Sequence, residues 1–158
     1  MAKGETAAQR FLRLNRFKGT FREVPVPKDR KTSALEMAEA SGIDPARLFK
    51  TLVVETDDGK LAVAIVPASR DLDRKALARE IGAKRVDLAA KDKAIKITGY
   101  QMGACSPLGQ KKKLPTFLDA SAEGFATIYV SGGAFGLELE IEASELLKAT
   151  EGKLAPIA

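Results

Sequence analysis

The sequence predicts a mixed α+β fold in which helices surround a mostly antiparallel, barrel-like sheet. Candidate strands follow one another in hairpins rather than alternating with helices, and strands joined by short turns pair antiparallel. Candidate helices lie between the hairpins and carry their own start and stop signals. The chain has 158 residues, 45% of them apolar. This length and composition are typical of one globular domain, here residues 1–158.

The first predicted elements are two helices with a short strand between them. Residues 5–17 place apolar side chains at helical spacing with arginines between them, which predicts an amphipathic helix ending near Gly19. Thr20–Val24 is predicted as a strand that the following prolines end. The Ser-x-x-Glu pattern that starts at Ser33 is a capping box, and it predicts a second helix to about Ser41.

A β-hairpin is predicted next. Two apolar runs, Phe49–Glu55 and Leu61–Val66, flank the turn residues Asp-Asp-Gly at 57–59. This pattern is typical of two strands joined by a tight turn. A helix is expected to follow, with either Asp71 or Asp73 as its N-cap and a glycine at its end.

The C-terminal half contains the remaining predicted elements and one long loop. In chain order they are a strand at Arg85–Leu88, a basic amphipathic helix at 89–97, the loop Gly99–Gly109, strands at Thr116–Asp119, Ala126–Val130 and Leu137–Ile141, and a helix at Ala143–Ala149. A Gly-Gly pair lies between the last two strands, as expected for a hairpin.

Composition excludes several kinds of enzyme. The chain contains no His, no Trp and a single Cys, Cys105. Catalysis by Ser-His-Asp or Cys-His groups, His-ligated metal sites and an intrachain disulfide are therefore excluded. One thiol cannot build a zinc or iron–sulfur site, so we expect no metal or other cofactor. Any catalysis must use lysine, carboxylates, hydroxyls, backbone amides and the substrate itself.

The net charge of +5 is unevenly distributed. Residues 1–31 carry a net charge of +6 and residues 90–118 a net charge of +5, so the rest of the chain is acidic. Two basic segments on an acidic body favour a polyanionic partner, nucleic acid before membrane, although basic residues also solvate ordinary surfaces. No apolar stretch reaches the ~20 residues that span a membrane. No signal-peptide core is present either, so a cytoplasmic protein is expected.

Lys50 is the first candidate for chemistry. It stands at the start of the first hairpin strand, and alternation places it on the face of Leu52 and Val54. On that face its ammonium either reaches back to solvent at the strand end or points into a cleft, where it suits anion binding.

The loop Gly99–Gly109 is the second candidate, because glycines allow backbone amides to approach a ligand closely. It lacks the ending of a P-loop. Lys111, Lys112 and Lys113 follow directly and are placed to meet phosphates. An ordinary surface loop is the alternative. Cys105 in this loop is a poor nucleophile without a histidine base.

Two further features lie around the last hairpin. Ser131 precedes the Gly-Gly pair at the end of an aromatic strand, and a plain hairpin turn explains it equally well. Glu138, Glu140 and Glu142 alternate along one strand face, which is typical of a face exposed to solvent.

Several short blocks occur together in one order. They are Lys50-Thr51-Leu52, Leu61–Ala64, Thr98–Tyr100, Gly103 with Ser106–Lys111, Leu114-Pro115, Phe125–Gly133 and Gly136-Leu137. With these blocks the chain resembles the YbaK/EbsC family, whose best-known members are Cys-tRNA(Pro) deacylases. That family is similar to the editing domain inserted in bacterial prolyl-tRNA synthetases. The resemblance covers about residues 5–150 and implies that family's α+β fold.

The resemblance implies hydrolysis of mischarged aminoacyl-tRNA(Pro). The family's essential lysine falls on Lys50, which would hold the terminal phosphate or ribose. The family's Gly-x-x-x-Pro loop falls on Gly103 to Pro107, and the amides near Gly103 would stabilise the oxyanion. Its serine falls on Ser131, which would bind the amino acid or ribose. Lys111–Lys113 would contact the RNA.

The same resemblance implies residues that bind the amino acid. They are Thr51, Pro107, Glu138, Val26 and Ser33. Cys-tRNA deacylases usually have Asp where Glu138 stands, and aromatic residues where Val26 and Ser33 stand. Cysteine is the expected amino acid, and these departures make alanine, serine and threonine further candidates.

The expected partner is the acceptor stem of tRNA(Pro), with prolyl-tRNA synthetase as a second expected partner and no membrane. An aminoacyl ester is already activated, so water, the substrate's thiol or a ribose hydroxyl suffices as nucleophile. One alternative is a non-catalytic module of the same fold that binds tRNA or the synthetase. Another is a hydrolase of small aminoacyl esters that does not need RNA.

Overall fold

The computed structural model describes residues 4–158. The helices are α1 (Ala7–Asn15), α2 (Ala34–Ser41), α3 (Arg74–Ile81), α4 (Lys91–Thr98) and α5 (Ala143–Thr150). The strands are β1 (Thr20–Glu23), β2 (Phe49–Thr56), β3 (Leu61–Pro67), β4 (Val86–Leu88), β5 (Thr116–Asp119), β6 (Ile128–Ser131), β7 (Leu137–Ile141) and β8 (Lys153–Ala155). A 3₁₀ helix lies at Ala120–Gly124.

The strands form one antiparallel sheet and one mixed sheet, and helices pack on them. The predicted α+β class is therefore confirmed. One sheet has the order β1-β7-β6 and the other β4-β2-β3-β5-β8. The pairs β1–β7, β6–β7, β2–β3 and β2–β4 are antiparallel, whereas β3–β5 and β5–β8 are parallel. Between the sheets, the described residues form one isolated bridge, Leu48 with Tyr129. A barrel needs a continuous ladder, so the barrel-like closure is not confirmed.

Helix caps place the starts of the first two helices. The Ser33 hydroxyl accepts a hydrogen bond from the Glu36 amide at 3.1 Å, and the Glu36 carboxylate accepts from the Ser33 amide. The predicted capping box is therefore present. Thr6 and Gln9 form a second box at α1. Because of that box, α1 begins later than residue 5, and it ends before the left-handed Arg16.

Two other boundaries are decided by contacts that the sequence pattern does not show. Asp73, rather than Asp71, caps α3, accepting from the Ala76 amide at 3.0 Å. Strand β8 was not predicted, because three residues carry too little periodicity. It forms by parallel pairing with β5. The residues after it are held by the Asp119 carboxylate, which accepts from the Ile157 amide at 2.9 Å.

Three apolar clusters organise the packing. The largest fills the space between the two sheets, with Val53 and Ile65 from one sheet and Val130 and Leu139 from the other. A second covers the opposite face of the five-stranded sheet under α3. The third packs α2 on the outer face of the three-stranded sheet, around Tyr129. No helix among residues 4–158 is long and apolar enough to span a membrane.

Candidate active site

Lys50 and Ser131 lie on the same face, at the point where the two sheets meet. Leu48 and Tyr129 form the bridge between the sheets, and both side chains belong to the cluster under α2. Side chains in a strand alternate between faces. Lys50 and Ser131, each two residues further along, therefore lie on the same side of the bridge. Lys50 lies at the border with the cluster under α3, to which its cross-strand partner Val66 belongs.

Glu138 completes this face. It is the direct cross-strand partner of Ser131 in the β6–β7 ladder, and Arg22 of β1 is its partner on the other side. Leu139, the next residue, points to the opposite face and into the core between the sheets. Three of the predicted site residues are thus brought together by strand register, although they come from three strands.

The environment of Lys50 leaves its ammonium available. Its side chain is 29% exposed, and its Nζ lies 3.9 Å from the fully exposed carboxylate of Asp71. An exposed pair at that distance is worth little. The ladder to β4 begins at Val54, so Lys50 lies on a stretch of the β2 edge between the bridge at Leu48 and that ladder. That Lys50 points into a cleft stays a prediction.

Glu138 is buried, which corrects the expectation that the glutamates of this strand form a solvated face. Its exposed fraction is 6%, and no group among residues 4–158 donates a hydrogen bond to its carboxyl. Burial raises the pKa of Glu138 to about 8. At neutral pH the carboxyl is therefore mostly protonated, and a protonated carboxyl can donate a hydrogen bond.

Ser131 is held by the turn that follows it. Its hydroxyl accepts a hydrogen bond from the Gly133 amide at 3.1 Å, which leaves the hydroxyl proton free to be donated. The turn closes through a bond from the Gly132 amide to the Leu137 carbonyl at 2.8 Å. Ser131 therefore belongs to a hairpin turn and still has a hydroxyl proton to donate, so the two interpretations of this serine are compatible.

The glycine loop docks on the same turn. The Tyr100 hydroxyl donates to the Leu108 carbonyl at 2.6 Å and so closes the loop. A Cβ atom at Gly133 would lie 2.9 Å from the Tyr100 ring. Gly103 is exposed and adopts a φ of +88°. A Cβ atom there would lie 2.5 Å from Cγ of Lys31.

Residues 24–33 contact both the loop at Gly103 and the turn at Gly136 through two lysines. The sequence pattern did not identify these lysines as site residues. Lys28 Nζ donates to the Val24 carbonyl at 2.9 Å and to the Gly136 carbonyl at 3.2 Å. Lys31 lies over Gly103. The sequence feature that could have identified them is the positive net charge of residues 1–31, which none of the recognised motifs explains.

The predicted residues for binding the amino acid do not all share this face. Thr51 points the other way, toward the core between the sheets, and its Oγ1 is buried without a hydrogen-bond partner among the described residues. Pro107 lines a cavity of about 350 Å³ between α1 and α5. Val26 packs against the cluster under α2. The Ser33 hydroxyl is used as the α2 cap. Their roles in binding stay predictions.

The predicted RNA-binding lysines differ in their freedom. Lys113 forms an ion pair with Glu151. The stem of Lys111 packs on Gly99. Lys112 is exposed and has no ion-pair partner among residues 4–158.

Cys105 is not poised for nucleophilic attack. Cys105 is 5% exposed, and burial raises the pKa of its thiol to about 11. A thiol with that pKa is neutral at physiological pH and is a weak nucleophile.

The match to a family model decides the relationship of this chain to known proteins. The model of the aminoacyl-tRNA editing domain matches residues 28–149. The chain belongs to this family. As an editing domain it is an aminoacyl-tRNA hydrolase, and the predicted family resemblance is confirmed.

Relatives agree with the assignment. The editing domain is 38% identical over 125 residues to EbsC of Enterococcus faecalis, named as a candidate Cys-tRNA(Pro)/Cys-tRNA(Cys) deacylase, and the match covers 79% of this chain and 76% of EbsC. It is 29% identical to the proline–tRNA ligase of Trichlorobacter lovleyi, covering 65% of this chain but 18% of the ligase.

Solved structures show the same fold. A candidate trans-editing enzyme for prolyl-tRNA synthetase superposes with a TM-score of 0.81 at 24% identity, covering 96% of both chains. A hypothetical protein superposes with a TM-score of 0.86 at 20% identity, covering 96% of this chain and 98% of the other.

Proposed function

We propose that this editing domain, residues 1–158, acts in trans to hydrolyse the ester of mischarged tRNA(Pro). Cys-tRNA(Pro) is the main substrate, and Ala-, Ser- and Thr-tRNA(Pro) are further ones. The observation that supports the proposal is the position of Lys50, Ser131 and Glu138 beside the bridge between the two sheets, which brings an ammonium, a hydroxyl and a buried glutamate to the same side. The name of EbsC supports cysteine as the amino acid.

Lys50 binds the 3′ end of the RNA. Its partly exposed ammonium has only a weak ion pair with Asp71. A phosphate or ribose oxygen that binds there therefore breaks only this weak interaction. Holding the terminal adenosine fixes the ester relative to the loop that carries Gly103, and such positioning is worth orders of magnitude in rate. Lys50 is therefore the residue whose loss costs the most activity.

Hydrolysis needs no further acid or base from the protein. The nucleophile, water or the thiol of a cysteinyl substrate, adds to the ester carbonyl carbon and gives a tetrahedral oxyanion. Amide groups near Gly103 stabilise that oxyanion. The carbon–oxygen bond to the ribose then breaks, and the ribose hydroxyl leaves with the proton that the nucleophile released. When the nucleophile is the thiol of the substrate, this step gives a thiolactone, which water then opens to free cysteine.

The side chains on the face around Glu138 select the amino acid of the substrate. At neutral pH its protonated carboxyl donates a hydrogen bond, and Ser131 offers a second donor. Glu138 is one methylene longer than the aspartate usual in Cys-tRNA deacylases, so it changes the depth of the site. The proposed contacts of the amino acid also include Val26, which packs against the cluster under α2, and Ser33, Thr51 and Pro107, of which the last two lie away from this face.

The RNA partner is the acceptor stem of tRNA(Pro), reached through Lys111–Lys113. Prolyl-tRNA synthetase is the second proposed partner, and the identity of the tRNA is read either by the editing domain or by the synthetase. The cytoplasm is the compartment where these partners meet.

Side-by-side deacylation of Cys-, Ala-, Ser- and Thr-tRNA(Pro) tests the proposal. Cys-tRNA(Pro) is expected to be hydrolysed fastest, and correctly charged Pro-tRNA(Pro) is the control that must persist. Binding of tRNA(Pro) without hydrolysis of any of the four would favour the non-catalytic module instead. Hydrolysis of small aminoacyl esters at the same rate as tRNA would favour the small-ester hydrolase.

A further inference from the structure

Lys28 and Lys31 stand at the two glycine turns that border the site. Lys28 Nζ lies on the carbonyl of Gly136, two residues before Glu138. The Lys31 stem lies against Gly103. The sequence between them has no helix or strand, so these contacts hold the segment in place.

Each of these two lysine contacts requires a glycine at the turn that the lysine touches. Gly103 and Gly136 have φ values of +88° and +76°. A Cβ atom at Gly136 would collide with Lys28 Nζ, and one at Gly103 with the Lys31 stem. Glycine therefore serves both the backbone conformation and the approach of the lysine at each turn.

The charge of both ammonium groups is uncompensated. Neither lysine has an ion-pair partner among residues 4–158, and the nearby Asp29 pairs with Arg30 at 3.8 Å. Lys28 donates to two carbonyls, which are neutral, and an ammonium has three protons to donate. One donor and a full positive charge thus remain, in a position that is already fixed.

We propose that Lys28 and Lys31 form a phosphate-binding pair that holds the last phosphodiester groups of the single-stranded 3′ end of the RNA. The proposal rests on the proposed function, because it is the ester at that 3′ end that must reach Lys50. Ammonium groups beside the loops that flank the candidate site suit phosphates, whose counterions they replace, and that of Lys28 is already held by two carbonyls. Lys28 and Lys31 are binding residues and take no part in the chemical step.

The test compares substrates with and without phosphate. The variant is Lys28→Gln with Lys31→Gln, and the substrates are Cys-tRNA(Pro) and cysteinyl-adenosine, which carries the ester but no phosphate. With tRNA, KM is expected to rise while kcat stays. The salt dependence of log KM is expected to flatten by about 0.7 for each phosphate of the single strand that the variant no longer neutralises. With cysteinyl-adenosine, both constants are expected to match the wild-type values.

Two controls exclude a structural explanation. Lys28→Arg with Lys31→Arg keeps the charge and is expected to restore KM for tRNA. Lys84→Gln removes an exposed lysine beside the 57–59 turn, at the other end of β2, and is expected to change nothing. Equal loss on both substrates, or unchanged kinetics and salt dependence with tRNA, would overturn the phosphate-binding pair.

Binding of uncharged tRNA(Pro), followed by fluorescence anisotropy, separates this proposal from the function on which it rests. If the wild type hydrolyses no ester but the Gln variant binds tRNA more weakly, the deacylase proposal fails and the phosphate-binding pair stands. If the wild type hydrolyses Cys-tRNA(Pro) and the variant binds tRNA equally well, the pair fails and the deacylase stands.

Discussion

Ser131 and Glu138 lie directly opposite each other in the β6–β7 ladder, and both point to the face covered by α2 and residues 24–33. The hydroxyl is fixed by the turn that follows it. Glu138 is 6% exposed, and no described residue donates a hydrogen bond to its carboxyl. Burying an acid that no protein group pairs with is costly for the fold, and this cost is the cause of its raised pKa.

The pKa of Glu138 predicts how stability depends on pH. The unfolded chain releases this proton near the ordinary value of 4.5, whereas the folded protein keeps it to about 8. The folded state therefore binds more protons between these values, and stability falls as pH rises from 4.5 to 8. Glu138→Gln removes this dependence and is expected to stabilise the protein by about 3 kcal/mol at pH 7.

Urea unfolding of wild type and Glu138→Gln at several pH values measures this effect. Glu39→Gln, at an exposed position of α2, is the matched control and is expected to run parallel to the wild type. A difference between Glu138→Gln and the wild type that stays constant from pH 4.5 to 8 would contradict the raised pKa.

Gly103→Ala is expected to lower both stability and activity. An alanine with φ near +88° is strained by about 1–2 kcal/mol, and its Cβ also displaces Lys31. Gly59 is a matched control, since its φ is +84° and nothing lies within 4 Å of a Cβ there. Gly59→Ala is expected to lose similar stability but no deacylase activity. Equal activity of the two variants would argue against a role for the glycine loop.

Lys111–Lys113 are expected to act through charge alone. Replacing all three by Gln lowers tRNA affinity, and it reduces the salt dependence by up to about 0.9 per phosphate contact with duplex RNA, taking the slope of duplex DNA. Lys113 contributes least because Glu151 already pairs with it, so Glu151→Gln is expected to raise affinity. Filter binding of tRNA(Pro) at several salt concentrations measures both changes. A slope unchanged in the triple variant would place the acceptor stem elsewhere.

Local signals predicted much of the fold. The box at Ser33 and the hairpin turn at 57–59 depend on neighbours in sequence, and both are present. Strand β8 could not be predicted, because its three residues pair with a strand more than thirty positions away. The parallel pairing of β3 with β5 is likewise a tertiary property.

The site was predictable where a residue type is unusual in its place. Lys50 in an apolar strand and Ser131 before paired glycines are such residues. The burial of Glu138 was not predictable, because three alternating glutamates are typical of a solvated face, and the residues that pack on that face are distant in sequence. Lys28 and Lys31 were not found because their distinguishing feature is contact with glycines about seventy or more positions away.

The most direct test of the account is single-turnover hydrolysis of Cys-tRNA(Pro) by the wild type, Lys50→Ala and Asp71→Asn. Lys50→Ala is expected to lose at least about 100-fold in rate because the ester is no longer positioned, with its melting temperature unchanged. Asp71→Asn removes only an exposed ion pair and is expected to stay within about twofold of the wild-type rate. A Lys50→Ala variant that hydrolyses Cys-tRNA(Pro) at the wild-type rate would contradict the account.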